Sequence, residues 1–110
     1  MKYRHVGKYG IKVSEISIGA WITYGNMVEK EDARECIKKA LELGVNFIDI
    51  ADVYARGKAE QIIGEIIKEE TFERKNLVIS SKVFWPMSED VNDRGLSRKH
   101  IMESIEGTLE

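Results

Sequence analysis

Asp49 lies inside the apolar run Phe47-Ile48-Asp49-Ile50-Ala51, where an ionised carboxylate is costly unless it is paired or hydrogen-bonded. Lys82 directly follows the next such run, Leu77-Val78-Ile79-Ser80-Ser81, and is a suitable partner. Adjacent parallel strands lie about 4.8 Å apart, so the ends of two such runs can bring an ammonium within ion-pair distance of a carboxylate. Tyr54 follows Asp49 by five residues, which places it in the loop above the same strand end. A lysine held by an aspartate eases loss of the phenolic proton and makes the tyrosine a usable proton donor. At about 4 Å and an effective dielectric near 20, one unit charge is worth roughly 4 kcal/mol. The same residues also fit a structural ion pair beside an unrelated loop tyrosine, and spacing leaves both readings open.

The elements that must position these groups can be read from periodicity. Tyr3 to Val6 and Ile11 to Ser14 form a small hairpin around Gly7-Lys8-Tyr9-Gly10. Ile16 to Ala20 reads as a buried strand closing near Gly19. Between Glu29 and Leu43, the residues Ala33, Cys36, Ile37, Ala40 and Leu41 recur at helical spacing, with acids in the first turn and Gly44 as the stop. A strand over Val45 to Ala51 and a helix over Lys58 to Glu70 follow, with Ile62, Ile63, Ile66 and Ile67 on one helical face. Leu77 to Ser81 is the next strand, and Ser97 caps a helix expected to carry Ile101, Met102, Ile105 and Leu109 inward.

Strand and helix thus alternate three times, with no convincing residue-level internal repeat. The pattern predicts an α/β fold of βα units joined into a parallel sheet. Three units leave two open edges, whereas eight close a (β/α)8 TIM barrel in about 250 residues. The expectation is a single domain over residues 1–110 that combines an N-terminal β-hairpin with the first three βα units of such a barrel, left incomplete.

The 110 residues, 43% hydrophobic and 33% charged, are those of a globular chain, and a net charge of −2 supplies no basic field for nucleic acid. The basic start Met1-Lys2-Tyr3-Arg4-His5 leads into no apolar stretch of leader or membrane-spanning length, so no membrane insertion is expected. Cys36 is the single cysteine, which favours a reducing, cytoplasmic setting and reads as a small buried hydrophobe on its helix. Metal ligation is not expected, since His100 reads as a surface residue of the last helix without partnered ligands. Trp21, Tyr24 and Trp85 fall in loops above the strand ends. They can wall an apolar substrate or serve as plain core.

A longer pattern surrounds the chemical residues. The stretch Gly44-Val45-Asn46-Phe47-Ile48-Asp49 through Asp52-Val53-Tyr54, followed by Gly57-Lys58-Ala59-Glu60, resembles the signature of the aldo-keto reductase superfamily. Gly10-Ile11-Lys12-Val13-Ser14 and Gly19-Ala20-Trp21 are similar to that family's hairpin and first barrel strand, and Ile79-Ser80-Ser81-Lys82 to its lysine-bearing strand. Phe84-Trp85 and Arg94-Gly95-Leu96-Ser97-Arg98-Lys99-His100-Ile101 resemble the branch containing voltage-gated potassium channel β subunits.

The resemblance implies an NAD(P)H-dependent oxidoreductase that reduces aldehyde or ketone carbonyls, usually with NADPH. In that family a tyrosine protonates the carbonyl oxygen, assisted by aspartate, lysine and histidine. Asp49, Tyr54 and Lys82 match three of those positions, and neither His5 nor His100 occupies the place of the histidine. The resemblance also implies cofactor contacts at Ala20, Trp21, Met27 and Asp49, although channel subunits commonly carry threonine and glutamine where this chain has Ala20 and Met27. The alternative it implies is a β-subunit-like module that binds a partner and senses redox state. Exposed sheet edges add an expectation of self-association.

Overall fold

A computed structural model of the chain describes residues 1–21, 30–70 and 72–110. Two short strands, β1 (Tyr3–His5) and β2 (Lys12–Ser14), pair antiparallel as the expected hairpin. Gly7 and Gly10 take positive φ in its turn, a conformation that a side chain would resist. Three further strands, β3 (Ile18–Gly19), β4 (Phe47–Asp49) and β5 (Val78–Ser80), form a parallel sheet in that order. Helix α1 (Lys30–Glu42) lies between β3 and β4, α2 (Lys58–Glu69) between β4 and β5, and α3 (Arg98–Leu109) follows β5.

The strand alternation decides which side chains meet the helices. Ile48 and Ile50 are buried with Ala33 and Ile37 of α1 and Ala59, Ile63 and Ile66 of α2, and fully buried Ala20 completes the cluster. Asp49, between the two isoleucines, therefore points to the opposite and less covered face of the sheet. Its apolar neighbours in sequence are not its neighbours in space. Across the outer surface of the helices, Lys30 pairs with Glu65 and Glu69, and Arg34 with Glu69 and Glu70. The solvent-exposed pairs of Lys30 add little stability, whereas Arg34 is largely covered.

Helix α1 stops where Gly44 was expected to stop it. Gly44 takes φ 92°, its N–H donates to the Leu41 carbonyl at 2.9 Å, and the Val45 N–H donates to the Ala40 carbonyl at 3.0 Å. This is the Schellman arrangement, which satisfies two of the carbonyls that end a helix. The hairpin is seated on the same glycine: the Tyr3 hydroxyl donates to the Gly44 carbonyl at 2.7 Å, and a Cβ on Gly44 would stand 2.9 Å from both the Met1 Cβ and the Tyr3 hydroxyl. Asn46 secures the hairpin's other strand, since its Oδ1 accepts from the Ser14 N–H at 2.8 Å and its Nδ2 donates to the Lys12 carbonyl at 3.1 Å. Gly44→Ala should therefore destabilise the fold by about 1–3 kcal/mol. Urea unfolding measures it, and a loss under about 0.5 kcal/mol would show that the hairpin does not rest on this position.

Three sequence expectations are corrected. Cys36 is exposed rather than buried, because the buried stripe of α1 runs through Ala33 and Ile37 and Cys36 sits on its flank. His100 is fully buried rather than on the surface, at 1% exposure. The apolar row of α3 is outward: Ile101, Met102, Ile105 and Leu109 are all exposed. Instead α3 turns His100, Ser104 and Thr108, spaced four apart, toward the body of the chain. The contacts it finds there are polar, with Thr108 Oγ1 donating to the Glu60 carboxylate at 3.1 Å. Ser97 caps the helix as expected, its Oγ accepting from the His100 N–H at 3.0 Å.

No described helix is long and apolar enough to cross a membrane. A groove under the hairpin, lined by Tyr3, Leu41, Val45, Asn46, Phe72 and Val78, lies at the amino ends of the strands. It contains none of the three residues proposed for chemistry.

Candidate active site

The parallel register sets Gly19, Asp49 and Ser80 side by side across the sheet. The ladder continues past the formal strand ends, with the Ile50 N–H donating to the Ser80 carbonyl at 2.8 Å and the Asp52 N–H to the Lys82 carbonyl at 3.2 Å. This continuation carries Lys82 to the level of Asp49 and Tyr54.

There the three side chains meet. Lys82 Nζ lies 2.8 and 2.9 Å from the two carboxylate oxygens of Asp49, donates to the Ile50 carbonyl at 2.9 Å, and stands 3.4 Å from the Tyr54 hydroxyl. It is also 5.2 Å from the centre of the Tyr54 ring. Ser80 Oγ donates to Asp49 Oδ1 at 2.5 Å. The lysine thus has partners on several sides, and one of them is a phenol that opens toward solvent.

Burial by itself would raise the Asp49 carboxyl, but the hydrogen bonds from Lys82 and Ser80 and the lysine's charge outweigh it and hold the group below the usual carboxylate range. Burial would lower the Lys82 ammonium, and its hydrogen bonds and charge interactions with Asp49 and Tyr54 outweigh that in turn and hold it above the ordinary lysine value. A depressed carboxyl contributes stability above its unfolded pKa and loses it as pH falls through the folded one. A raised ammonium contributes below its unfolded pKa and loses it as pH rises through the folded one. The pair is therefore intact across the neutral range. With side chains 37% and 50% exposed, it is screened by water, so its role is to orient Lys82 rather than to stabilise the fold.

Other sequence candidates are more scattered. Ala20 is fully buried one residue beyond β3, and its N–H donates to the Asp49 carbonyl at 3.1 Å. Trp21 beside it is exposed, as is Trp85, which meets Phe84 edge to face at 5.2 Å between ring centres. Tyr24 and Met27 lie outside the described residues. Ser80 and the Ile50 carbonyl were missed by sequence reading. Only the cross-strand register reveals them, and no local motif encodes it.

The turn that carries Tyr54 is unusual. Ala55 and Arg56 take φ 51° and 53°, and Gly57 follows at 87°. Two non-glycine residues in the left-handed region cost about 1–2 kcal/mol each, and such strain persists where the surroundings hold it in place. The turn then feeds directly into α2 at Lys58.

Comparison with known proteins gives this arrangement a context. Residues 15–110 match the Aldo/keto reductase family. The chain belongs to that family. Among its relatives are two plant proteins, each named a probable voltage-gated potassium channel subunit beta: one from Arabidopsis thaliana, 46% identical, and one from Oryza sativa subsp. japonica, 42% identical, both over 99% of this chain. The chain spans about a third of their length, 33% in each case. Solved aldo-keto reductases share the fold. The holo form of the Bacillus halodurans enzyme has a TM-score of 0.81 at 28% identity, over 99% of this chain and 35% of that one. A thermostable aldo-keto reductase crystallised with the inhibitor epalrestat has a TM-score of 0.78 at 32% identity, over 99% of this chain and 38% of that one. The chain thus shares the fold of these solved aldo-keto reductases, which are TIM barrels, over 99% of its length.

Proposed function

We propose that these residues are the N-terminal third of an NADPH-dependent reductase of aldehyde or ketone carbonyls, built as a β-hairpin and the first three βα units of a (β/α)8 barrel. The observation that carries this reading is Lys82 Nζ, in contact with both Asp49 oxygens and 3.4 Å from the Tyr54 hydroxyl at the carboxyl ends of β4 and β5. In parallel α/β barrels that end of the strands is where chemistry is placed.

The reduced nicotinamide, when bound, supplies a hydride to the carbonyl carbon. Tyr54 gives its phenolic proton to the carbonyl oxygen as negative charge develops there, which completes the alcohol. The Lys82 ammonium stabilises the phenolate left behind, and Asp49 keeps that ammonium charged and aimed at the ring. The open face above Asp49 and exposed Trp21 fit the edge of a flat, polar cofactor, while Ala20, its side chain buried, has only its backbone to offer. Met27 belongs to the same proposed cofactor set, and Tyr24 and Trp85 to the proposed substrate wall with Trp21. The proposed setting is cytoplasmic.

Loss of NADPH absorbance with a panel of aldehydes, measured on the full-length protein, tests this reading. Turnover of at least one aldehyde is expected, and absence of both turnover and cofactor binding would overturn it. Asp49→Asn should move the alkaline limb of the kcat/KM profile to lower pH by at least about half a unit, because the lysine loses the charge that holds its ammonium. A profile that stays in place with full activity would break the proposed coupling.

The 110-residue chain alone should be inactive, bind NADPH weakly or not at all, and associate through the exposed row of α3 and the outer edges of β3 and β5. Light scattering paired with NADPH fluorescence decides the point, and a stable monomer with micromolar affinity would contradict it. The plant relatives named as channel β subunits favour a second reading, a redox-sensing module docked on a channel. It predicts cofactor binding without aldehyde turnover.

A further inference from the structure

We propose that Glu60, which bridges α2 to the strand end bearing Lys82, is a positioning residue that sets the Lys82 ammonium against the Tyr54 hydroxyl. This deepens the carbonyl-reductase reading and rests on it.

Tyr54 and Lys82 stand on separate segments, 28 residues apart in sequence, so their 3.4 Å separation depends on how those segments are held together. The tyrosine turn is tied to α2: the N–H of Lys58, the first residue of the helix, donates to the Tyr54 and Ala55 carbonyls, and Ala59 beside it is fully buried. The lysine belongs to the continuation of β5. Side chains alternate along that stretch, and its two consecutive serines are bonded on opposite faces. Ser80 Oγ donates to Asp49 Oδ1 at 2.5 Å on the face of the site, and Ser81 Oγ donates to Glu60 Oε1 at 2.5 Å on the face of the helices.

One carboxylate therefore joins the helix that begins at the tyrosine turn to the residue next to Lys82. A third element steadies it, since Thr108 Oγ1 of α3 lies 3.1 and 3.3 Å from the two Glu60 oxygens. A backbone bond spans the same gap, from the Asp52 N–H to the Lys82 carbonyl, but at 3.2 Å it is at the long end of the normal range. The shorter, charge-assisted bond between Ser81 and Glu60 is the closer constraint. An acid in the first turn of α2 is favoured by the helix dipole wherever its side chain points, and that role needs no partner on β5. Glu60 is only half-buried and Ser81 is exposed, so the bond fixes position more than it supplies burial energy. A displacement of the order of an ångström between a proton donor and the charge beside it is enough to cost a large rate factor.

The test uses the full-length protein carrying Glu60→Ala, Glu60→Gln, Ser81→Ala, Lys82→Met and Tyr54→Phe, with the alanine variants also combined with Lys82→Met. Glu60→Ala should lower kcat for aldehyde reduction about 10- to 100-fold and leave the NADPH dissociation constant within about twofold. A loss under about fivefold, or a dissociation constant raised by the factor by which kcat falls, would overturn the proposal. Glu60→Gln keeps an acceptor oxygen for the Ser81 hydroxyl and should be at least about threefold faster than the alanine variant, so a glutamine as slow as alanine also overturns it. In the Lys82→Met background Glu60→Ala should cost less than about threefold, because the group it positions is gone, and an equal loss in both backgrounds contradicts that. A readout independent of turnover is the Asp49 carboxyl, which a displaced Lys82 holds down less firmly. Followed by NMR, its midpoint in Glu60→Ala should lie at least about 0.3 pH above the parent's, and an unchanged midpoint overturns the inference. Where Glu60→Ala does not fold, Ser81→Ala takes its place. A loss of kcat of at least about threefold that disappears in the Lys82→Met background is then expected, and an unchanged kcat overturns the proposal. Failure of the carbonyl-reductase reading looks different: Tyr54→Phe would be as active as the parent while the Asp49 midpoint still moved with Glu60→Ala.

Discussion

Tyr54→Phe should lower aldehyde reduction by the full-length protein about 10²- to 10⁴-fold, the usual worth of a positioned general acid. The substitution removes one oxygen and keeps the ring, so the turn from Ala51 to Gly57 and its contact with Lys82 through the ring face should survive. Cofactor affinity should barely change, because the phenol acts on the carbonyl oxygen and the hydride donor is held elsewhere. The loss belongs in kcat and kcat/KM alike, the pattern of an interaction made only in the transition state. Steady-state rates with one aldehyde and an NADPH titration measure both parts. A variant within threefold of the parent rate would remove Tyr54 from the mechanism.

Lys82→Met should cost a similar 10²- to 10⁴-fold, for a different physical reason. The proton donor is still present, but the cation 3.4 Å from its oxygen is replaced by an uncharged thioether of similar length. The phenolate left after proton transfer then has no stabilising charge. Asp49 also loses the ammonium that holds its carboxyl low and retains only the Ser80 hydroxyl among its side-chain partners. Its protonation should consequently move to higher pH in the variant, which an NMR titration of the Asp49 carboxyl detects. Lys82→Arg should not rescue the rate. A planar guanidinium cannot occupy the compact site bounded by Asp49, the Ile50 carbonyl and Tyr54. Near-parental activity in Lys82→Met would show that the Lys82–Asp49 pair is structural and that the tyrosine acts without it.

Much of this architecture is legible in the residues because local signals and global fold agree. Gly44 announces the end of α1, and the structure shows the Schellman bonds that explain it. Ser97 announces α3, and its oxygen accepts the bond a cap requires. The alternation of strand and helix specifies a parallel sheet, and with it the carboxyl strand ends where Asp49, Tyr54 and Lys82 are found together. Spacing alone left a plain ion pair open as well, since a one-dimensional pattern carries no register.

Tertiary structure decided the rest. The parallel register aligned Asp49 with Ser80 and extended the ladder to Lys82, which turned a plausible pair into a four-contact lysine. Periodicity misjudged α3, because it assumes that apolar residues face the nearest core. Here Thr108 meets the Glu60 carboxylate and His100 lies beside Asp93, so His100, Ser104 and Thr108 turn inward and Ile101, Met102 and Ile105 turn out. Cys36 failed for a simpler reason, since two buried positions one helical turn apart, Ala33 and Ile37, are enough to seat α1 and leave its flank exposed. The sequence by itself determined which elements form and which residues can do chemistry, because capping, periodicity and side-chain type act over a few residues. Which of those residues touch, and which face of the last helix is buried, depended on contacts between segments some 30 to 50 residues apart, and only the folded chain holds that information.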